Sequence, residues 1–150
     1  VVGLMMAAIL ELPPESHHAA RRLGRAMQYI NFIRDIREDI ELGRTYLPRT
    51  ELDRFGLRNL SFEHVRERPE AFGEFLRAQV ERYEGWQSEA EAGFHYLPRR
   101  LRIPVQTASE MYRWTGRRIL REPFILYDRE GKPRMSRIIT NAARSALASC

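Results

Sequence analysis

Lysine and aspartate are the scarce residues of this sequence: Lys132 is the single lysine among 25 basic residues, and Asp35, Asp39, Asp53 and Asp128 are the only aspartates among 20 acids. Cys150 is the sole cysteine, which excludes an intrachain disulfide framework and a cysteine zinc cluster and makes a reducing, cytoplasmic setting the simplest inference. The apolar run from Val1 to Leu10 stops at ten residues, short of the ~20 that cross a bilayer. Glycine forms no phosphate-binding loop, and no serine or cysteine has a recognisable base partner. The histidines, His17, His18, His64 and His95, show no metal spacing with acids and are expected at the surface. A net charge of +5 invites thought of nucleic acid, but no helix-turn-helix, zinc-finger or RNA-binding signature is present.

What is abundant is helical periodicity. Gly3 and the neighbouring alanines in the Val1 to Leu10 run suit a closely packed core helix. Pro13-Pro14 should break the chain before a long helix from about Ser16 to Leu42, with Gly43 closing it as a C′ residue. Thr45 to Pro48 reads as a loop, followed by a short helix ending near Phe55-Gly56 and another after Ser61. Pro69 suits the first turn of the next long helix, whose apolar residues recur at three- and four-residue steps from Phe72 through Val80 and Tyr83 to Phe94. Pro104 is expected to open a helix to about Leu120, with Met111, Trp114 and Ile119 inward. Pro123, Gly131 and Pro133 should interrupt the chain, with Tyr127 and Arg129 at a cavity mouth, before a last amphipathic helix carrying Ile138, Ile139, Ala142 and Leu147.

Two of the four aspartates stand four residues apart in the long helix. At that spacing Asp35 and Asp39 share one face, and Gln28 and Asn31 extend the same polar stripe. Leu23, Ala26, Met27, Ile30 and Ile33 line one side, while Phe32, Ile36 and Ile40 flank the carboxylates on the other, so the stripe is expected to be buried. Spacing alone is explained more simply by surface salt bridges among Arg34, Arg37, Glu38, Glu41 and Arg44. Against that stands the choice of aspartate twice, although glutamate is the better helix former and supplies the other acids. Oxygen ligands of this kind suit a hard cation such as Mg²⁺, whose shell is usually completed by substrate phosphates and water.

The run Leu23-Gly24-x-Ala26-x-Gln28-x-x-Asn31-x-x-Arg34-Asp35-x-x-Glu38-Asp39-x-x-x-Gly43-Arg44-x-Tyr46-Leu47-Pro48 resembles the second aspartate-rich motif of the squalene/phytoene synthase family. The resemblance continues more loosely through Val2 to Met5, Tyr83 to Pro98 and Met111-Tyr112. It implies an all-α isoprenoid synthase fold, a helical bundle around a central cavity, that joins two prenyl diphosphates head to head through a cyclopropylcarbinyl diphosphate. By the same resemblance Asp35 and Asp39 would be catalytic Mg²⁺ ligands, with Mn²⁺ as an alternative ion. Gln28, Asn31, Arg34 and Arg44 would bind the substrate diphosphate, and Tyr112 would be a catalytic pocket residue. The Gly43-Arg44-x-Tyr46-Leu47-Pro48 ending leans toward conversion of geranylgeranyl diphosphate to phytoene in carotenoid biosynthesis. The alternatives are a squalene, dehydrosqualene or presqualene diphosphate synthase acting on farnesyl diphosphate, with NADPH only for squalene, or a non-catalytic lipid-binding or assembly scaffold of the same fold.

No second Asp-x-x-x-Asp occurs, so residues 1–150 are expected to be the C-terminal part of a single all-helical domain, lacking the family's first motif and inactive alone. From Leu97 to Arg137 there are eleven basic residues against four acidic ones. That end suits peripheral contact with an anionic membrane surface, close to lipid-soluble substrates.

Overall fold

The computed structural model describes residues 1–128, which form helices and turns with no strand among the described residues. Helix α1 spans Val2–Ile9, and a 3₁₀ turn at Pro14–Ser16, closed by Ser16 Oγ donating to the Pro13 carbonyl at 2.7 Å, leads into α2, His17–Arg34. Then come α3 Ile36–Glu41, α4 Arg49–Arg54 and α5 Phe62–Arg66. The long α6, Pro69–Glu91, has proline at its first turn as expected, and α7, Arg99–Arg121, is followed by a 3₁₀ turn at Pro123–Tyr127. Arg129, Gly131, Pro133 and the expected last amphipathic helix lie outside the described residues, as does the basic stretch beyond Asp128.

The centre of the bundle is the contact of α2 with α6, with α1 laid on the other flank of α2 and α7 crossing both long helices. Ala26, Ile30 and Ile33 of α2 and Phe72, Phe75, Leu76, Val80 and Tyr83 of α6 are fully buried there. Each large side chain so buried contributes roughly 1.5–3 kcal/mol, which drives the two faces together. Gly3 decides how close α1 comes, because a Cβ on it would stand 1.9 Å from the Ala20 carbonyl oxygen of α2.

Three expectations are corrected. The helix from Ser16 does not run unbroken to Leu42: Asp35, at φ −96° and ψ 14°, is a joint between α2 and α3. The last long helix begins at Arg99, behind extended Pro98, and contains Pro104 in its second turn. This is tolerated because proline there withholds one amide from the carbonyl of exposed Arg100, which water can reach. His64 is buried, not superficial, and its Nε2 accepts the Arg58 amide at 3.1 Å.

Candidate functional site

Despite the joint, the backbone ladder passes through the aspartate segment: the Asp35 amide donates to the Asn31 carbonyl at 2.8 Å and the Asp39 amide to the Asp35 carbonyl at 2.9 Å. Asn31, Asp35 and Asp39 therefore keep their one-turn spacing. At the end of α3 Gly43 adopts φ +67°, and the pair of bonds Gly43 N to Ile40 O at 2.9 Å and Arg44 N to Asp39 O at 2.7 Å makes a Schellman turn. The turn throws Arg44 back over Asp39. Beyond it the Tyr46 ring stacks on Phe32 of α2, centroids 4.5 Å apart.

The stripe is less buried than its apolar flanks imply. Ala26, Ile30, Ile33 and Ile36 are in the core, but Gln28 and Ile40 are exposed and Asn31, Asp35 and Asp39 are half-buried. The reason is that α6 and α7 pack on one side of α2, α1 packs on its other flank and the 3₁₀ turn at Pro123–Tyr127 packs on α3, while the stripe itself lies along open clefts. The four polar residues also open into three different clefts. Gln28 and Asn31 face one beside α1, Asp35 faces one with Arg37, Trp114 and Arg118, and Asp39 faces one of about 530 Å³ with Arg44 and Arg58.

Their charge balance differs sharply. Asp35 is gripped by its neighbour, Arg34 Nε to Oδ1 at 2.8 Å and Nη2 to Oδ2 at 2.7 Å, a two-pronged pair that also raises the Arg34 pKa. Asp39 has no side-chain hydrogen bond or salt bridge among the described residues. Burial and the like charge of Asp35 push its carboxyl upward, and the pull of Arg44 only partly offsets them. The Oδ1 atom of Asn31 is buried with no partner among the described residues. Tyr112, half-buried on α7 against the core, lies within electrostatic range of Arg34. Arg44 is exposed. Thus Arg34 is engaged by Asp35 in this structure, whereas Arg44 keeps its charge beside the cleft of Asp39.

These residues fit one side of a hard-cation site. An under-compensated carboxylate and an unpartnered amide oxygen on the same stripe, with Asp35 between them, are oxygen donors of the type Mg²⁺ takes. They do not make a whole one, since no group of three or more His, Cys, Asp or Glu that could hold a metal occurs among the described residues.

A second polar cluster lies behind the loop. Glu51 of α4 accepts from Arg82 Nη2 at 3.0 Å and from Gln79 Nε2 at 3.4 Å, and Tyr29 of α2 donates to Gln79 Oε1. The sequence did carry a signal for it: Gln79 stands at an apolar position of α6, three residues after Leu76 and four before Tyr83, and is fully buried.

Comparison with known proteins adds the following. Residues 1–138 match the sequence profile of the family described as squalene/phytoene synthase. The chain is similar to 15-cis-phytoene synthase of Enterobacter agglomerans, 37% identical over 121 residues that cover 80% of this chain and 41% of that protein. It is similar also to phytoene synthase 1, chloroplastic, of Solanum lycopersicum, 35% identical over 119 residues, 75% of this chain and 29% of that one. In fold it is like a dehydrosqualene synthase crystallised in complex with ligand, with a TM-score of 0.81 at 23% identity over 98% of this chain and 52% of that chain. The chain thus spans less than half the length of these two phytoene synthases.

Proposed function

This chain belongs to the squalene/phytoene synthase family, and from that premise we propose that it is the C-terminal part of a head-to-head prenyl transferase, the part that holds one side of the metal and diphosphate site. Residues 1–150 would then act only together with a preceding half that carries the first aspartate-rich motif. The observation that carries the proposal is Asp39, a carboxylate with no side-chain donor among the described residues, one turn from Asp35 and sharing a cleft with Arg44. Asp35 and Asp39 would hold Mg²⁺, which when bound neutralises and orients a diphosphate leaving group, and Asn31 would line the diphosphate region. Arg44 would bind diphosphate oxygens from its place beside Asp39. Arg34 would first neutralise Asp35, and Gln28 and Tyr112 would border the substrate.

The substrate we propose is geranylgeranyl diphosphate and the product phytoene, in keeping with the names of the similar proteins. Product analysis of the whole protein with geranylgeranyl or farnesyl diphosphate, with and without NADPH, separates this from the squalene-type alternatives. No helix of the described residues is long and apolar enough to cross a membrane. A cytoplasmic enzyme meeting lipid peripherally would use the arginines of α7, of which Arg99, Arg100, Arg117 and Arg121 have no acidic partner among the described residues.

The test is replacement of Asp35 or Asp39 by Asn in the whole protein. Turnover is expected to fall by about a hundredfold or more, with thermal stability close to that of the parent. The Arg34–Asp35 pair favours one competing reading, a scaffold whose acids merely lace the surface; unchanged turnover in both variants would decide for it and against metal ligation.

A further inference from the structure

The loop between α3 and α4 carries Arg44 over Asp39, and something must set its position. Its near end is fixed by the Schellman turn on the Asp39 carbonyl and by the Tyr46–Phe32 stack. Its far end runs into α4, where Glu51 occupies the first turn. A glutamate at that position ordinarily faces solvent near the helix N-terminus. Here its side chain is turned inward and only 15% exposed.

It enters a closed ring of hydrogen bonds that spans three helices. Arg82 Nη2 donates to Glu51 Oε2 at 3.0 Å, and Gln79 Nε2 donates to the same oxygen at 3.4 Å. Arg82 Nη1 donates to Tyr29 Oη at 3.2 Å and to Gln79 Oε1 at 3.5 Å, and Tyr29 Oη donates to Gln79 Oε1. Outside the ring, Arg54 Nη1 reaches Glu51 Oε1 at 3.4 Å. Tyr29 is only two residues before Asn31, on the helix that carries the polar stripe.

A partly buried ion pair such as Glu51–Arg82 contributes little to stability by itself, because desolvation and side-chain ordering offset much of its attraction. What such a ring supplies is direction: each bond has a preferred geometry, and a closed set locks three elements at one mutual angle. The elements locked here are α2 with the stripe, α6 as the rigid base, and α4 as the far anchor of the Arg44 loop.

We propose that Glu51, clamped by Arg82 and Gln79 and closed through Tyr29, is a positioning residue that holds the Gly43–Pro48 loop, and Arg44 with it, in register with Asp39. This rests on the metal and diphosphate reading for its catalytic consequence but not for its structural one. The experiment therefore reads both. In the whole protein, Glu51→Gln keeps the shape and removes the charge, and Tyr29→Phe removes one hydroxyl and is the safeguard should the first variant fold poorly.

Hydrogen exchange of the amides in residues 43–48 should quicken about tenfold or more in Glu51→Gln relative to those of α7, since local opening governs loop exchange. Half-saturating Mg²⁺ should rise about tenfold, as is usual for a group acting behind a ligand, with kcat at saturation falling much less. Tyr29→Phe should shift both in the same direction by a smaller factor. Faster loop exchange in Glu51→Gln, with a parent protein that shows no Mg²⁺-dependent turnover, would uphold the positioning and reject the enzyme reading. A uniform loss of thermal stability, with loop exchange no faster than elsewhere and Mg²⁺ dependence unchanged, would overturn the proposal.

Discussion

Glu91 and Glu51 are the residues in which charge most clearly serves folding. Burial disfavours ionisation of both, yet hydrogen bonds from Arg113, Ser109 and Gln87 to Glu91, and from Gln79 and Arg82 to Glu51, outweigh it and hold each carboxyl below its ordinary value of 4.5. A carboxyl with a lowered folded pKa contributes stability that is present above the unfolded value and is lost as pH falls through the folded one. Asp39 has the opposite sign, so its protonation relieves a small penalty in the same acid range. The sum favours the two glutamates: the melting temperature should hold steady above about pH 5 and fall as pH drops below about 4.5. Glu91→Gln should cost about 1–2 kcal/mol near neutral pH by leaving Arg113 without its carboxylate, and should flatten the acid limb of the profile. A melting curve as steep in acid for that variant as for the parent would refute the assignment. These glutamates are not legible from spacing, since Glu91 pairs with Arg113 across two helices, 22 residues apart. Asp35 and Asp39 are legible because they stand one helical turn apart in the sequence itself.

At the scale of elements, periodicity foretold the helices and their faces better than their ends. The apolar steps of α6 became the fully buried row from Phe72 to Tyr83, because a 3.6-residue repeat leaves no other way to cover that face. Boundaries turned on single backbone events: Asp35 as a joint, Pro98 in place of Pro104 as the start of α7. Gly43 is the boundary that sequence located, and its φ of +67° is the reason. Gly43→Ala should destabilise by about 1 kcal/mol, the strain of a side chain in the left-handed region, measured by urea denaturation. It should also loosen the Arg44 loop, so a variant that lost stability but kept the parent's exchange rates in residues 43–48 would count against the turn's role in placing Arg44.

At the scale of the whole molecule, α1 is the informative helix. It turns Gly3 and Ala7 onto α2 and leaves Val2, Met5, Met6 and Ile9, 48 to 70% exposed, as a continuous apolar stripe at helical spacing. An exposed stripe of that kind drives association. The 150-residue chain by itself is therefore expected to self-associate with rising concentration in sedimentation velocity. Replacing Met5 and Ile9 with Gln should reduce that association without loss of helicity, whereas equal association in the variant would show that another surface is responsible. Within the whole protein the same face would be covered by the preceding half, in keeping with the proposed division of the site.

What the sequence determined by itself is whatever depends on neighbours within about one helical turn: the all-α class, the apolar rows, the glycine that ends α3 and the polar stripe of Gln28, Asn31, Asp35 and Asp39. What only the tertiary structure decided depends on chain segments far apart in sequence. Packing chose which flank of α2 is covered, left Asp39 and Asn31 Oδ1 without a side-chain partner among the described residues, and drew Tyr29, Glu51, Gln79 and Arg82 into one ring. The physical reason is that a helix repeat specifies direction around its own axis, whereas charge compensation and hydrogen-bond closure are settled only when separate helices meet.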